Sequence, residues 1–118
     1  MKYWCDGGTK WHNGEQSEAY GSYCDETGQM ARLCFPQYRT NNEAEYATLL
    51  SLLESLQTDS FPTIYMDSRL VVNQISGEWK LKAQHLFHLL QACRQHVSRT
   101  GAFINWVPRE KIVEKLGH

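Results

Sequence analysis

The chain has 118 residues, 42% of them hydrophobic and 21% charged, with a formal net charge of −1. That length suits one domain around one core and is too short for two. No apolar run approaches the roughly 20 residues of a membrane span, and the near-zero charge argues against a broadly basic surface that attracts nucleic acid indiscriminately.

Met1 to Cys5 predicts a short first strand, stopped by Gly7-Gly8 so that Asp6 stands at its end. Because this strand begins at Met1 and runs straight into Asp6, no cleavable leader fits before it, and a cytoplasmic protein is expected. In that compartment Cys5, Cys24, Cys34 and Cys93 should be buried reduced thiols. Trp11 to Ser17 is polar and contains Asn13-Gly14, which predicts a loop near Asp6. Ala19 to Cys24 and Met30 to Phe35 predict two further strands joined by a turn at Glu26-Thr27-Gly28, completing an antiparallel meander.

From Asn42 the period changes. Tyr46, Ala47, Leu49, Leu50, Leu53 and Leu56 recur at three- and four-residue steps, predicting an amphipathic helix capped by Thr40, Asn41 or Asn42 with Glu45 in its first turn. Thr63 to Met66 predicts a short buried strand that delivers Asp67, and Ser68 caps a helix ended by Gly77. Leu81 to Val97 predicts a third helix, Ala102 to Val107 a last strand, and Arg109 to Leu116 a terminal helix. The order βββαβααβα implies an α/β fold, a five-stranded mixed sheet with helices on both faces, formed by residues 1–118 as one domain.

Taken singly, Asp6 reads as a turn residue, Glu45 as a helix-surface residue and Asp67 as a cap. Their order on strand ends and a helix start gives them a second reading. Open α/β sheets bind ligands outside their strand ends, and adjacent placement of the first and fourth strands brings Asp6 and Asp67 together with Glu45 within reach. Two like charges at about 4 Å repel by about 4 kcal/mol at an effective dielectric near 20. A divalent cation removes that cost, and an all-oxygen donor set selects magnesium or manganese over zinc. Two such ions suit in-line hydrolysis of a phosphodiester. Lys10, Arg39, Lys80, Lys82, Arg109 and Lys111 supply candidates for a local phosphate-facing rim.

Asp6-Gly7-Gly8, Thr40-Asn41-Asn42-Glu43-Ala44-Glu45, Asp67-Ser68 and Trp106-Val107-Pro108-Arg109-Glu110 together resemble type 1 ribonuclease H, over almost the whole chain. The Thr-Asn-Asn-x-x-Glu string is the most specific element, and it singles out Glu45 rather than Glu43. The resemblance implies an endonuclease that cuts the RNA strand of RNA/DNA hybrids and leaves 5′-phosphate and 3′-hydroxyl ends. It implies two Mg2+ ions, replaceable by Mn2+, held by Asp6, Glu45 and Asp67. It also implies hybrid contacts from Gly7, Gly8, Thr40, Asn41 and Asn42, the two asparagines lying near the 2′-hydroxyls that distinguish RNA from DNA. No obligatory protein partner and no membrane are implied.

The sequence departs from the family at the fourth carboxylate, where an Asp is usual and Arg109 to Leu116 has none. Glu114 is the expected replacement, with Glu110 one helical turn away as a neighbouring acid. The basic protrusion of some members is also missing. Gly77-Glu78-Trp79-Lys80-Leu81-Lys82 stands in its place, with Lys80 and Lys82 expected on phosphates and Trp79 expected as a partly buried core aromatic. His118 lies one turn beyond Glu114, where some members carry a histidine that aids product departure, and a disordered or tag-like terminal histidine without that role is the expected reading. His85, His88 and His96 are expected at the surface. A silent nucleic-acid-binding domain of the same fold is the runner-up reading.

Overall fold

The computed structural model describes residues 1–12 and 15–117, so the Asn13-Gly14 turn and His118 lie outside the described residues. Five strands, β1 (Lys2–His12), β2 (Glu15–Asp25), β3 (Met30–Phe35), β4 (Thr63–Met66) and β5 (Phe103–Trp106), form one mixed sheet in the order β3-β2-β1-β4-β5. The meander β1-β2-β3 is antiparallel, while β4 and β5 extend it in parallel on the other side of β1. Helices α1 (Asn41–Glu54), α2 (Arg69–Ser76), α3 (Phe87–Thr100) and α4 (Arg109–Leu116) complete the expected order.

The sheet buries a different cluster on each face. Cys5, Ile64 and Met66 pack with Tyr46, Leu49, Leu53, Leu89 and Cys93 beneath α1 and α3. On the opposite face Trp4 and Cys24 pack with Ile112 and Leu116 of α4. Full burial of each such aliphatic side chain contributes about 1.5–3 kcal/mol, which makes the α1 side the anchor of the fold and α4 a smaller clasp.

Two expectations about β1 are corrected. Gly7-Gly8 does not stop the strand, which pairs with β2 from Tyr3 to His12, and the supposed loop from Trp11 to Ser17 lies largely in these two strands. Backbone pairing needs no apolar side chains, so a polar hairpin arm read as loop. Gly7 serves a close approach instead: a Cβ there would lie 2.5 Å from the Ala44 carbonyl carbon and oxygen of α1.

The other boundaries follow local chemistry. Thr40 caps α1 in a capping box, accepting from the Glu43 amide while the Glu43 carboxylate accepts from the Thr40 amide. Glu43 therefore occupies the first turn and Glu45 the next, one turn later than expected. Ser68 and Gly77 bound α2 as predicted. Helix α3 starts later than Leu81, because Ala83 is extended and a single 3-10 turn at Gln84–Leu86 precedes it.

Candidate active site

Three core elements converge on one point of the sheet. β4 pairs with β1 only from Lys2 to Trp4, so Asp6 stands in mid-strand but two residues past the end of that pairing. Asp67 follows Met66, the last residue of β4. Its backbone carbonyl accepts from the Trp106 indole at 3.1 Å, and the Val107 amide donates to Met66 at 2.9 Å. Arg69 stacks on the Trp106 ring at 4.0 Å, bracing the β4–β5 end. Glu45 arrives from α1 at the close crossing that Gly7 permits, and the Ser68 hydroxyl bonds its carboxylate.

Burial and mutual repulsion show in the proton affinities. Loss of solvent, then the charge of Asp67, lift the Asp6 carboxyl to about 6 against the opposing pull of Arg109. Desolvation lifts Glu45 to about 7, the Ser68 hydroxyl opposes it, and Asp67 and Asp6 add to the rise. These carboxylates are close enough to feel one another in a partly dry site.

Arg109, the first residue of α4, lies across the pair: its Nη1 is 3.1 Å from Asp67 Oδ2 and 3.9 Å from Asp6 Oδ2. Its own side chain is 64% exposed, against 10% for Asp6 and 13% for Asp67. A largely exposed cation thus bridges two buried anions. Among the described residues, no three Asp, Glu, His or Cys side chains form a ready-made ligand cage. The fit to a divalent cation rests on the donor chemistry: buried hard oxygens whose repulsion a cation relieves, as the guanidinium here does.

Sequence reasoning placed Arg109 in a family-like string and on a phosphate-facing rim, and missed this contact. Its signal was the Pro108-Arg109 step directly after a strand parallel to β4, which sets the first residue of α4 beside Asp67.

The fourth carboxylate is placed differently from the first three. Glu114 is 62% exposed and pairs with Lys111 at 3.8 Å, and Glu110 is exposed. The charges that shift Asp6 come from Asp67 and Arg109, and those that shift Glu45 come from Asp67, Asp6 and Arg109. The structure therefore assembles Asp6, Glu45 and Asp67 and leaves Glu114 on the outer surface of α4.

The expected substrate contacts divide in two groups. Thr40 is engaged in the cap, Asn41 accepts from the Thr9 hydroxyl at 2.8 Å, and Gly8 faces the Tyr20 ring. Asn42, Trp79, Lys80 and Lys82 line one cavity of about 430 Å³ beside α2. Trp79 is 47% exposed, which corrects its expected core role; it follows the end of α2 on a segment held out from the core. Cys34 is likewise exposed rather than buried, because its side of β3 has no helix over it. His85 and His88 are at the surface as expected, His88 against the Tyr38 hydroxyl at 3.2 Å, and His96 is half-buried, accepting from Arg99 at 3.0 Å.

The comparisons agree with this fold. A family model described as Reverse transcriptase-like matches residues 5–114. The "Bifunctional protein Rv2228c" of Mycobacterium tuberculosis is 38% identical over 79 residues, 61% of this chain, and the chain spans only 21% of that relative's length. The solved N-terminal RNase H domain of that protein superposes with a TM-score of 0.77 at 27% identity, covering 97% of this chain and 87% of its own. LC11-RNase H1, solved in complex with an RNA/DNA hybrid, gives 0.80 at 27% identity over 97% and 89%. The chain belongs to the Reverse transcriptase-like family, and its five-stranded fold is that of an RNase H1-like protein.

Proposed function

We propose that residues 1–118 form a ribonuclease H domain that hydrolyses the RNA strand of RNA/DNA hybrids, leaving 5′-phosphate and 3′-hydroxyl ends. The observation that carries this reading is the convergence of Asp6, Glu45 and Asp67 at one sheet position, with Asp6 and Glu45 pushed up to about 6 and 7. Asp6, Glu45 and Asp67 would hold two Mg2+ ions, with Mn2+ able to substitute and Glu114 as the fourth ligand from α4. Bound there, the ions supply an activated water and stabilisation of the leaving oxygen.

The protein's own part is positioning. β1 and β4 fix Asp6 and Asp67, Ser68 orients Glu45, and Arg109 balances the carboxylates until a cation replaces it. Asn41 and Asn42 at the start of α1 would read 2′-hydroxyls, as the family resemblance implies, while Lys80 and Lys82 in the neighbouring cavity suit backbone phosphates. Cys5, Cys24 and Cys93 are buried free thiols, which supports a reducing, cytoplasmic setting. Among the described residues no helix is long and apolar enough to cross a membrane.

The silent-domain reading keeps one specific support, the exposed Glu114 paired with Lys111. Labelled hybrid, double-stranded RNA and double-stranded DNA, each incubated with Mg2+, Mn2+ or chelator, separate the two. Metal-dependent cutting of the hybrid alone, abolished by Asp67→Asn, supports hydrolysis; stable binding without cutting supports the silent domain.

A further inference from the structure

The face of the sheet that carries Asp6 continues beyond the site with no helix over it. Register places Asp6 opposite Ser22 and Ser22 opposite Arg32; the next row is Gly8, Tyr20 and Cys34, and Lys10 lies opposite Glu18. Alternation along each strand puts these side chains on the α4 face. Helix α4 covers the preceding row through Trp4 and Cys24, and its Arg109 reaches Asp6 in the next row, where Asp6 and Ser22 are buried; the open part of the face lies toward Tyr20, Arg32 and Cys34. What remains is an open cavity of about 440 Å³ lined by Lys10, Tyr20, Ser22, Arg32, Leu33 and Cys34.

Its chemistry is cationic and aromatic around Tyr20 and Arg32, with the Glu18 carboxylate opposite Lys10 at its edge. The Tyr20 ring lies over Gly8, where a Cβ would meet its hydroxyl at 3.1 Å. The Lys10 ammonium stands 5.5 Å from the centre of the same ring. Arg32 is exposed, and no carboxylate among the described residues forms an ion pair with it. Two strand spacings, about 10 Å, separate the Arg32 and Asp6 backbones. A polynucleotide strand with one phosphate at Asp6 therefore has its neighbouring phosphates within reach of this surface.

We propose that the uncovered face of β1-β2-β3 is a phosphate-binding track for the strand being cut, with Arg32 and Lys10 holding its backbone beside the scissile link. The track rests on the hydrolysis proposed above, because that reading puts the cut strand at Asp6. It also gives a protein of net charge −1 a local grip, since two cations on one face act where a basic surface is lacking.

Cys34 makes the track testable, being the one exposed thiol of four. Asp67→Asn protein is mixed with Mg2+ and a hybrid, and iodoacetamide alkylation of Cys34 is followed by mass spectrometry. Saturating hybrid should slow Cys34 alkylation at least about fivefold, and Arg32→Ala should reduce the slope of log affinity against log salt by about 0.7–0.9, the share of one phosphate contact. Uncharged backbone links in the RNA strand next to the cut should abolish the Arg32 dependence. Hybrid that binds while Cys34 reacts at its free rate overturns the track and leaves the hydrolase reading standing. Absence of hybrid binding overturns both. Because the footprint is read with Arg32 intact, a poorly folding Arg32→Ala does not remove the test.

Discussion

The carboxylates on β1, α1 and β4 and the carboxylate on α4 stand in different physical situations. Asp6, Glu45 and Asp67 are carried by elements buried on the main core, so their positions are fixed by packing before any ligand arrives. Glu114 is carried by a two-turn helix held through Ile112 and Leu116, with its side chain in water against Lys111. A site built on core elements tolerates repulsion among its acids, whereas a surface acid relaxes toward its nearest cation. The difference separates acids held in place by core packing from one that only a metal ion or substrate could draw away from Lys111.

The strongest way to break this comparison is to remove a preorganised acid. Asp67→Asn should lower hybrid cleavage on the order of 10³-fold, the scale of losing one preorganised electrostatic group, with a circular-dichroism spectrum unchanged. Retained cleavage would mean that Asp67 is only the residue preceding the Ser68 cap.

Next in size is the effect of pH on the metal-free protein. The folded-state values of Asp6 and Glu45, about 6 and about 7, lie above the ordinary carboxyl values of 3.8 and 4.5. Between pH 4 and 7 the folded state therefore binds more protons than the unfolded chain, and stability falls as pH rises through that window. Allowing for partial solvent screening, each group should cost on the order of 1 kcal/mol by pH 8. A chelated sample should lose several degrees of Tm between pH 5 and 8, Asp6→Asn should recover part of it, and Mg2+ or Mn2+ should restore it. Asp25 and Glu43 shift the other way, through hydrogen bonds that lower them, and act only below pH 4.5. A metal-free Tm that is flat from pH 5 to 8 would show that burial and neighbouring charge do not raise Asp6 and Glu45.

Much of the preorganised part was legible in the sequence, because it is written in local chemistry. Thr40, Asn41 and Asn42 announce a cap, of which the structure uses Thr40 with Glu43, Ser68 and Gly77 bound a helix, and the apolar period from Tyr46 marks the buried face of α1. Since the capping box consumes Glu43, the sequence also contains the reason that Glu45 is the acid left for the site. What was not legible depends on neighbours distant in the chain. Gly7-Gly8 looks like a stop signal unless one knows that Ala44 crosses there, and Cys34 looks buried unless one knows that no helix covers β3. Arg109 looks like a rim residue until β5 is placed beside β4.

Arg109 offers a smaller test of the same comparison. Its guanidinium bridges Asp6 and Asp67 from an exposed position, so a cation at those acids has to displace it. Arg109→Gln should destabilise the chelated protein slightly and tighten Mn2+ binding by up to about fivefold, the scale of one partly exposed ion pair, read by calorimetric titration without substrate. Weaker Mn2+ binding in Arg109→Gln would show instead that the guanidinium orients the acids for the ion.

Glu114→Gln should have the least effect on the protein alone. Its only ion pair among the described residues is an exposed one within α4, at spacing i, i+3, and such a pair is worth about 0.3–0.5 kcal/mol. Unchanged Tm is therefore expected, and the informative quantity is the Mg2+ concentration giving half-maximal cleavage. A rise of about tenfold with the maximal rate kept means that Glu114 leaves Lys111 to join the metal site when ions and hybrid are present. An unchanged metal requirement means that three core-anchored acids suffice, and that α4 contributes Arg109 to the site but no ligand. Either outcome turns on the same physical point: a surface glutamate joins the site only if the ion offers it more than Lys111 and water do.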